Sequence, residues 1–394
     1  MVRQITKDEL YNAVAPGDFA ALIDPERYNT RSPAFDKIIA LTHDHFWDPL
    51  DKRYIDFSAP FDMENQPLIP EHLVPALQTK LVDEKLKGKE RIRFINTVAR
   101  WQISAILHGE QGALSLSASL TNILKDPGAQ EYAANQAREE ARHVTAFTRY
   151  IQVRWGKPLP VGPTLGNLLG EMVNAQEVYK KIVGMQMLVE GLAMGAFATF
   201  YNVANDPLLK KLTQLVMTDE AFHHKFGRIW ADRTMPHLSR EEHDVVEDWA
   251  AQCFQTLLFN LVNPEQMKEL YADFGLDWQE VMHAFLEAAT DEERRKRMAE
   301  GTDIFRVLIK TLLNAGIITD RTRALYATYV DMDELKKEGD EMVGDAIAEE
   351  GIAFLKTINF KPARPAAEPL SNQIGAPRPA AEPLSNQIGA PRPA

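Results

Sequence analysis

Glu110, Glu140, His143, Glu190, Glu220 and His223 fall into two sets with one internal spacing. Glu110 is followed thirty positions later by Glu140-Ala141-Arg142-His143, and Glu190 thirty positions later by Glu220-Ala221-Phe222-His223. The sets are offset by 80 residues, and Asn122 with Asp126-Pro127 recurs at that offset as Asn202 with Asp206-Pro207. Glu and His at i and i+3 share one helix face, so both can reach one metal ion. Carboxylates and imidazoles in two equivalent halves make the ligand set of a dinuclear iron or manganese site inside a four-helix bundle.

The helices that must carry these residues follow from the same count. A helix running on from Glu110 to about Leu124 rises ~21 Å, and a return helix from about Ala129 covers ~17 Å to Glu140. Lys125 to Gly128 turn the chain, which brings Glu140 back to the level of Glu110. The path out from Glu190 to Ala204 and back from Pro207 to Glu220 repeats this. Asp-Pro suits both turns, because Asp caps a helix and Pro fits its first position. A lone Glu-x-x-His arises by chance, and Glu280-Val281-Met282-His283 is such a case: Ala250 stands where its upstream carboxylate would be. It reads as a surface helix. His224 points about 100° away from His223 and is not expected to be a ligand.

Further side chains take supporting roles. Glu139 and Asp219 each precede a ligand glutamate, and a metal-bound imidazole usually donates its other N–H to a carboxylate. Each is expected to serve the histidine of the opposite half. Apolar residues on the ligand-bearing faces, Ile103, Ile106, Leu107 and Leu114 on the first helix and Val183, Met187, Met194 and Phe197 on the third, point to a dry pocket. Phe147 and Phe226 lie one turn beyond the histidines. The substrate pocket is expected at Leu114, Phe147, Met194, Phe197 and Phe226, although such residues equally serve as bundle core and Met fills core gaps generally.

In these motifs the chain resembles the ferritin-like dimetal-carboxylate superfamily of ribonucleotide reductase small subunits and bacterial multicomponent monooxygenases. Asp219-Glu220-Ala221-Phe222-His223 is similar to its second metal motif and Glu139-Glu140-Ala141-Arg142-His143 to its first. Phe35 to Ile39, His45-Phe46-Trp47-Asp48-Pro49 and Tyr54 to Phe57 resemble the small subunit's N-terminal region, which implies that Trp47 carries electrons to the metals. The resemblance covers about residues 35 to 235. Phe147 stands where many small subunits carry a radical-bearing Tyr, and no aromatic residue follows Phe360, whereas small subunits end in a tail with a Tyr. Val216 replaces the additional His of arylamine N-oxygenases, and Met194 the Thr of the monooxygenases.

Composition bounds the rest. Lys+Arg 44 against Asp+Glu 56 gives a net charge of −12, which argues against nucleic acid as a partner. Cys253 is the single cysteine, so no intramolecular disulfide and no cysteine-based cluster is expected. The start of the chain reads as no signal peptide, and no apolar run reaches the ~18 residues of a membrane span. A cytoplasmic location is expected.

The apolar period is helical nearly everywhere. The expected fold is all-α, a ferritin-like four-helix bundle with extra N- and C-terminal helices. Residues 1–88 form a helical and extended segment packing on the bundle. Residues 89–235 form the dimetal bundle, its middle connection from Gly156 to Gly170 rich in Pro and Gly and suited to a long crossover. Residues 236–360 add C-terminal helices, with a solvated charged face at Asp291 to Arg297. Residues 361–394 are a Pro/Ala-rich tail with a 14-residue repeat, expected to be disordered alone.

The sequence therefore points to an oxidoreductase with two Fe, or a Mn/Fe pair, that activates O2 to oxidise an apolar small molecule. An external electron donor, a ferredoxin or reductase, is implied, because the chain has no nucleotide fingerprint. A homodimer is expected. The alternatives are a radical-generating small subunit, a ligand-binding oxidase and a non-enzymatic metal-binding protein.

Overall fold

The structure, a computed structural model, describes residues 12–288, 304–338 and 342–360. The charged face at 291–297 and the repeat tail at 361–394 lie outside these residues. Among the described residues there is no strand, only one isolated bridge between Ala13 and Leu124. The longer helices are α1 (Asp36–Thr42), α2 (Gly88–Leu120), α3 (Pro127–Trp155), α4 (Pro163–Asn174), α5 (Val178–Val203), α6 (Pro207–Thr234), α7 (Arg240–Val262), α8 (Trp278–Ala288), α9 (Ile304–Asn314) and α10 (Asp345–Asn359).

Helices α2, α3, α5 and α6 form the bundle. The hairpins α2–α3 and α5–α6 pack internally and then against one another, and α1 lies across α3 and α6. Both hairpin turns use the repeated Asp-Pro. Asp126 Oδ1 accepts from Gly128 N at 2.8 Å, and Asp206 Oδ1 from Leu208 N at 2.9 Å. Each Asp also holds a cation from a neighbouring helix: Arg233 Nη1 lies 3.0 Å from Asp126, and Arg154 Nε 2.7 Å from Asp206. A repeated sequence signal thus fixes both ends of both hairpins. Helix α2 stops at Leu120, four positions before Leu124, because residues 12–14 capture the chain there. Val14 N donates to Ile123 O at 2.7 Å and Lys125 N to Asn12 O at 2.9 Å, which removes these groups from the helical ladder.

Two features depart from the sequence reading. The Gly156–Gly170 connection is an open loop only for its first part. Its second part opens α4, whose Leu165, Leu168, Leu169 and Met172 recur at helical spacing and are buried. Gly112 allows α4 its close approach, since a Cβ there would stand 2.8 Å from Leu169 Cδ2. The second departure concerns α5. It is 26 residues long and apolar enough by length and composition to cross a membrane, contrary to the expectation that no run reaches that length. Gln186 and Glu190 interrupt the apolar run without interrupting the helix. Its most apolar window is 72% buried, as a bundle's core helix is. Within α5, Ile182–Val189 is a π-helix that leads directly into Glu190. Such bulges are frequent at functional sites.

The buried apolar side chains form two clusters, and each bundle helix passes from one to the other at its ligand positions. On α2 the switch falls between Leu107 and Ala113, on α3 between Ala133 and Ala146, on α5 between Leu188 and Met194, and on α6 between Ala221 and Phe222. The polar residues of the candidate centre occupy that seam.

Candidate metal centre

Glu110, Glu140, His143, Glu190, Glu220 and His223 come together at the seam, each 5% exposed or less. They form two groups of potential ligands whose donor atoms lie within 4.8 Å of one another. One group is Glu110, Glu140, His143 and Glu220; the other is Glu140, Glu190, Glu220 and His223. Glu140 and Glu220 belong to both. His143 Nδ1 lies 3.1 Å from Glu110, 3.2 Å from Glu140 and 3.1 Å from Glu220. His223 Nδ1 lies 3.0 Å from Glu140 and 3.2 Å from Glu220. Both imidazoles therefore turn Nδ1 inward, as the i, i+3 spacing requires.

The outer nitrogens point the opposite way, to carboxylates of the other half. His143 Nε2 lies 2.8 Å from Asp219, and His223 Nε2 2.9 Å from Glu139. Arg142 meets Asp219 at 2.5 Å and Glu139 at 3.6 Å. His45 Nε2 stands 3.3 Å from Asp219 and 3.9 Å from Glu139, with its ring stacked on Phe222 at 4.9 Å. Trp47 donates from Nε1 to Asp219 at 2.9 Å and stacks on His143 at 6.1 Å. The segment before α2 thus reaches the centre through Asp219.

The protonation pattern follows from this geometry. Burial raises Glu110 and Glu190 well above the usual carboxylate range. Burial also acts on Glu140 and Glu220, but the charges of and hydrogen bonds to His143 and His223 outweigh it; Glu140 falls below the usual range and Glu220 to about 2. Burial opposes charge on both imidazoles, yet the surrounding carboxylates push His143 and His223 well above their ordinary value. For Asp219 burial is overcome by the Arg142 guanidinium, which holds it well below its usual value. Buried carboxylates without compensating charge cost several kcal/mol each, so four of them around one point ask for positive charge at their centre. This donor set fits a pair of metal ions, with oxygen and imidazole ligands suited to iron or manganese.

Other residues singled out in the sequence fall as follows. His224 is buried away from the cluster, its Nε2 2.9 Å from Thr311 Oγ1, and burial lowers it to about 4. Glu280 and His283 are exposed on α8 and belong to no candidate metal group among the described residues. Phe147 and Phe197 are fully buried and stack on each other at 5.7 Å. Phe226 packs on Tyr132 at 5.2 Å, Met194 is buried and Leu114 is half-buried.

A cavity of about 270 Å³ does reach the centre, at Glu110 and Glu190, but none of those five residues lines it. It opens instead between α2 and α5, where Ala105, Gly109, Ala113, Ala193 and Ala196 leave room. Small residues at helical spacing were its only sequence signal.

Sequence reasoning also missed Gln136, one turn before Glu140. Its Nε2 donates to both Glu140 and Glu190 at 3.1 Å, tying ligands of the two hairpins together. Tyr132 lies one turn further back, fully buried, and its hydroxyl has no hydrogen-bond partner among the described residues.

The outer carboxylates give a direct expectation. Asp219→Asn keeps shape but loses the charge that supports His143 and accepts from Arg142 and Trp47. Metal affinity, measured by competition with a chelator, is expected to fall about 10–100-fold. Unchanged affinity together with unchanged oxygen kinetics would leave Asp219 a bystander.

No family model matches the chain, and no curated protein does. Among solved structures, a mutant R2-like ligand-binding oxidase with an aerobically reconstituted Mn/Fe cofactor is similar at 14% sequence identity and a TM-score of 0.35, over 83% of this chain and 93% of that one. Apart from that likeness, a glutamate from each of two helices and a Glu-x-x-His from each of two others meet in the core of the four-helix bundle and form a donor set that could hold two metal ions.

Proposed function

We propose that the protein is an O2-dependent oxidoreductase in which a dimetal centre, two Fe or Mn/Fe, oxidises a small apolar molecule held between α2 and α5. The observation that carries this reading is the cavity, which is walled by apolar side chains and ends on two ligand carboxylates, Glu110 and Glu190. A storage or transport role would call for a hydrated, acidic approach to the ions.

Glu110, Glu140 and His143 would hold one ion and Glu190, Glu220 and His223 the other, with Glu140 and Glu220 shared. A reduced metal pair bound by these residues would supply the electrons and the binding site for dioxygen. The chain does the rest. Asp219 and Glu139 fix the imidazole tautomers, so that Nδ1 stays a free donor. Gln136 holds Glu140 and Glu190 in register across the two hairpins. The walls of the cavity exclude water and orient the substrate. Trp47, touching both Asp219 and His143, is the candidate route for electrons from an external donor such as a ferredoxin or reductase.

One observation favours a second reading, a radical generator: Tyr132 is fully buried on the ligand-bearing helix α3, one turn before Gln136, and its hydroxyl has no hydrogen-bond partner among the described residues. Single-turnover reaction of the reduced protein with O2 separates the two. An oxygenase gives an oxidised organic product and no lasting protein radical. A persistent tyrosyl signal that disappears in Tyr132→Phe, with no product, would overturn the oxygenase reading.

A further inference from the structure

The cavity runs in one direction from the ligand carboxylates. On α2 its wall extends from Glu110 back to Gln102, eight residues or about 12 Å. On α5 it extends from Glu190 forward to Thr199, nine residues or about 13.5 Å. The two helices line it in opposite chain directions, so Gln102 and Thr199 share its far end. Its surface is mostly apolar, and among the described residues that line it there is no Lys, Arg or His. Apart from Glu110 and Glu190 at its inner end, the polar side chains among those residues are uncharged. Thr199 is already committed, its hydroxyl donating to Gly195 O at 2.8 Å. Gln102 makes no side-chain hydrogen bond to a described residue, and one end of its amide is fully buried. Asn260, 7% exposed on α7, likewise bonds none through its side chain.

A buried amide left without partners is costly, whereas one that meets a polar group on a ligand is not. A charged ligand group at the far end, beside Gln102 and Thr199, would be desolvated with no described side chain of opposite charge lining that end to receive it. We propose that the cavity takes an uncharged, slender amphiphile. Its single polar group, a hydroxyl or amide, bonds the free amide of Gln102. Its apolar body lies along the small-residue groove, which presents to Glu110 and Glu190 a carbon about 12 Å from that polar group. This rests on the reading of the cavity as the substrate site, and it adds the class of molecule: neutral alcohols or amides rather than acids or amines.

The test uses Trp101, which lines the cavity, as a fluorescence reporter in the full-length protein kept anaerobic, so that nothing turns over. The probes are n-decanol, decanoate, decylammonium and n-decane. Decanol is expected to quench Trp101 and to bind at least about tenfold tighter than either charged probe. The quench should vanish in Trp101→Phe. In Gln102→Leu the affinity for decanol is expected to fall about 5–10-fold towards that for decane, with decane itself unaffected. Decanoate binding as tightly as decanol would overturn the inference, and so would an unchanged preference in a folded Gln102→Leu; the head-group series on the unaltered protein decides even if that variant does not fold. Failure of the oxygenase reading looks different: decanol binds as expected, but the reduced protein consumes O2 without oxidising it.

Discussion

Glu140→Ala and Glu220→Ala are each expected to strip both metal ions from the chain, whereas Glu110→Ala and Glu190→Ala should weaken one ion more than the other. The reason is connectivity. Glu140 and Glu220 belong to both ligand groups, while Glu110 and Glu190 belong to one each. Removing a shared carboxylate takes a donor from both ions and leaves two positive ions close together with less charge between them. The expected loss of affinity is more than about a hundredfold, beyond what an outer carboxylate contributes. His143→Ala and His223→Ala should also lose most metal, since each imidazole is the single nitrogen donor of its group. Glu280→Ala and His283→Ala are the controls, being exposed on α8. Metal per chain by elemental mass spectrometry, after dialysis against a weak chelator, decides the matter. The assignment is falsified if the α8 variants lose as much metal as the bundle variants, or if Glu140→Ala keeps both ions.

What could be read in the sequence was the part that repeats. Two copies of Glu-x-x-His at one offset, each with an upstream Glu and an Asp-Pro turn, define helix length, turn position and ligand face together. The pairing of Asp219 with His143 and of Glu139 with His223 follows from the same symmetry, because the residue before each ligand glutamate turns towards the neighbouring helix. What could not be read breaks the symmetry. Gln136 stands one turn before Glu140, but Val216 occupies the matching place before Glu220, so no repeat drew attention to it. The π-helix at Ile182–Val189 has no residue signature; it lengthens one helix within a hairpin and shifts the face that α5 presents before Glu190. The pocket expected at Leu114, Phe147, Met194, Phe197 and Phe226 shares no residue with the cavity at Glu110 and Glu190, for a related reason. Large apolar residues near the ligands suggested a pocket, but large residues fill space, and Phe147 and Phe197 fill theirs against each other. Room is left where side chains are small, at Ala105, Gly109, Ala113, Ala193 and Ala196.

That distinction leads to the second large effect. Ala193→Leu is expected to cut product yield at least about tenfold while both metals stay bound. Ala193 lines the cavity less than one turn from Glu190, and it is half-buried, so the branched side chain extends into open space rather than into packed core. Little stability should be lost, because overpacking is costly only where no cavity receives the new atoms. Dioxygen is small enough to pass, so O2 uptake by the reduced protein should continue and become uncoupled from product. Ala113→Leu, close to Glu110 on the facing helix, should act in the same direction. It is 3% exposed, so some loss of thermal stability should accompany it. Phe147→Leu supplies the contrast. It sits in packed core beside Phe197 and should lower stability by roughly 1–3 kcal/mol without changing which product forms. Oxygen uptake and product, measured together in single turnover, report on all three. If Phe147→Leu altered the product and Ala193→Leu did not, the substrate would lie on the far side of the centre, and the cavity between α2 and α5 would be only a gap in the packing.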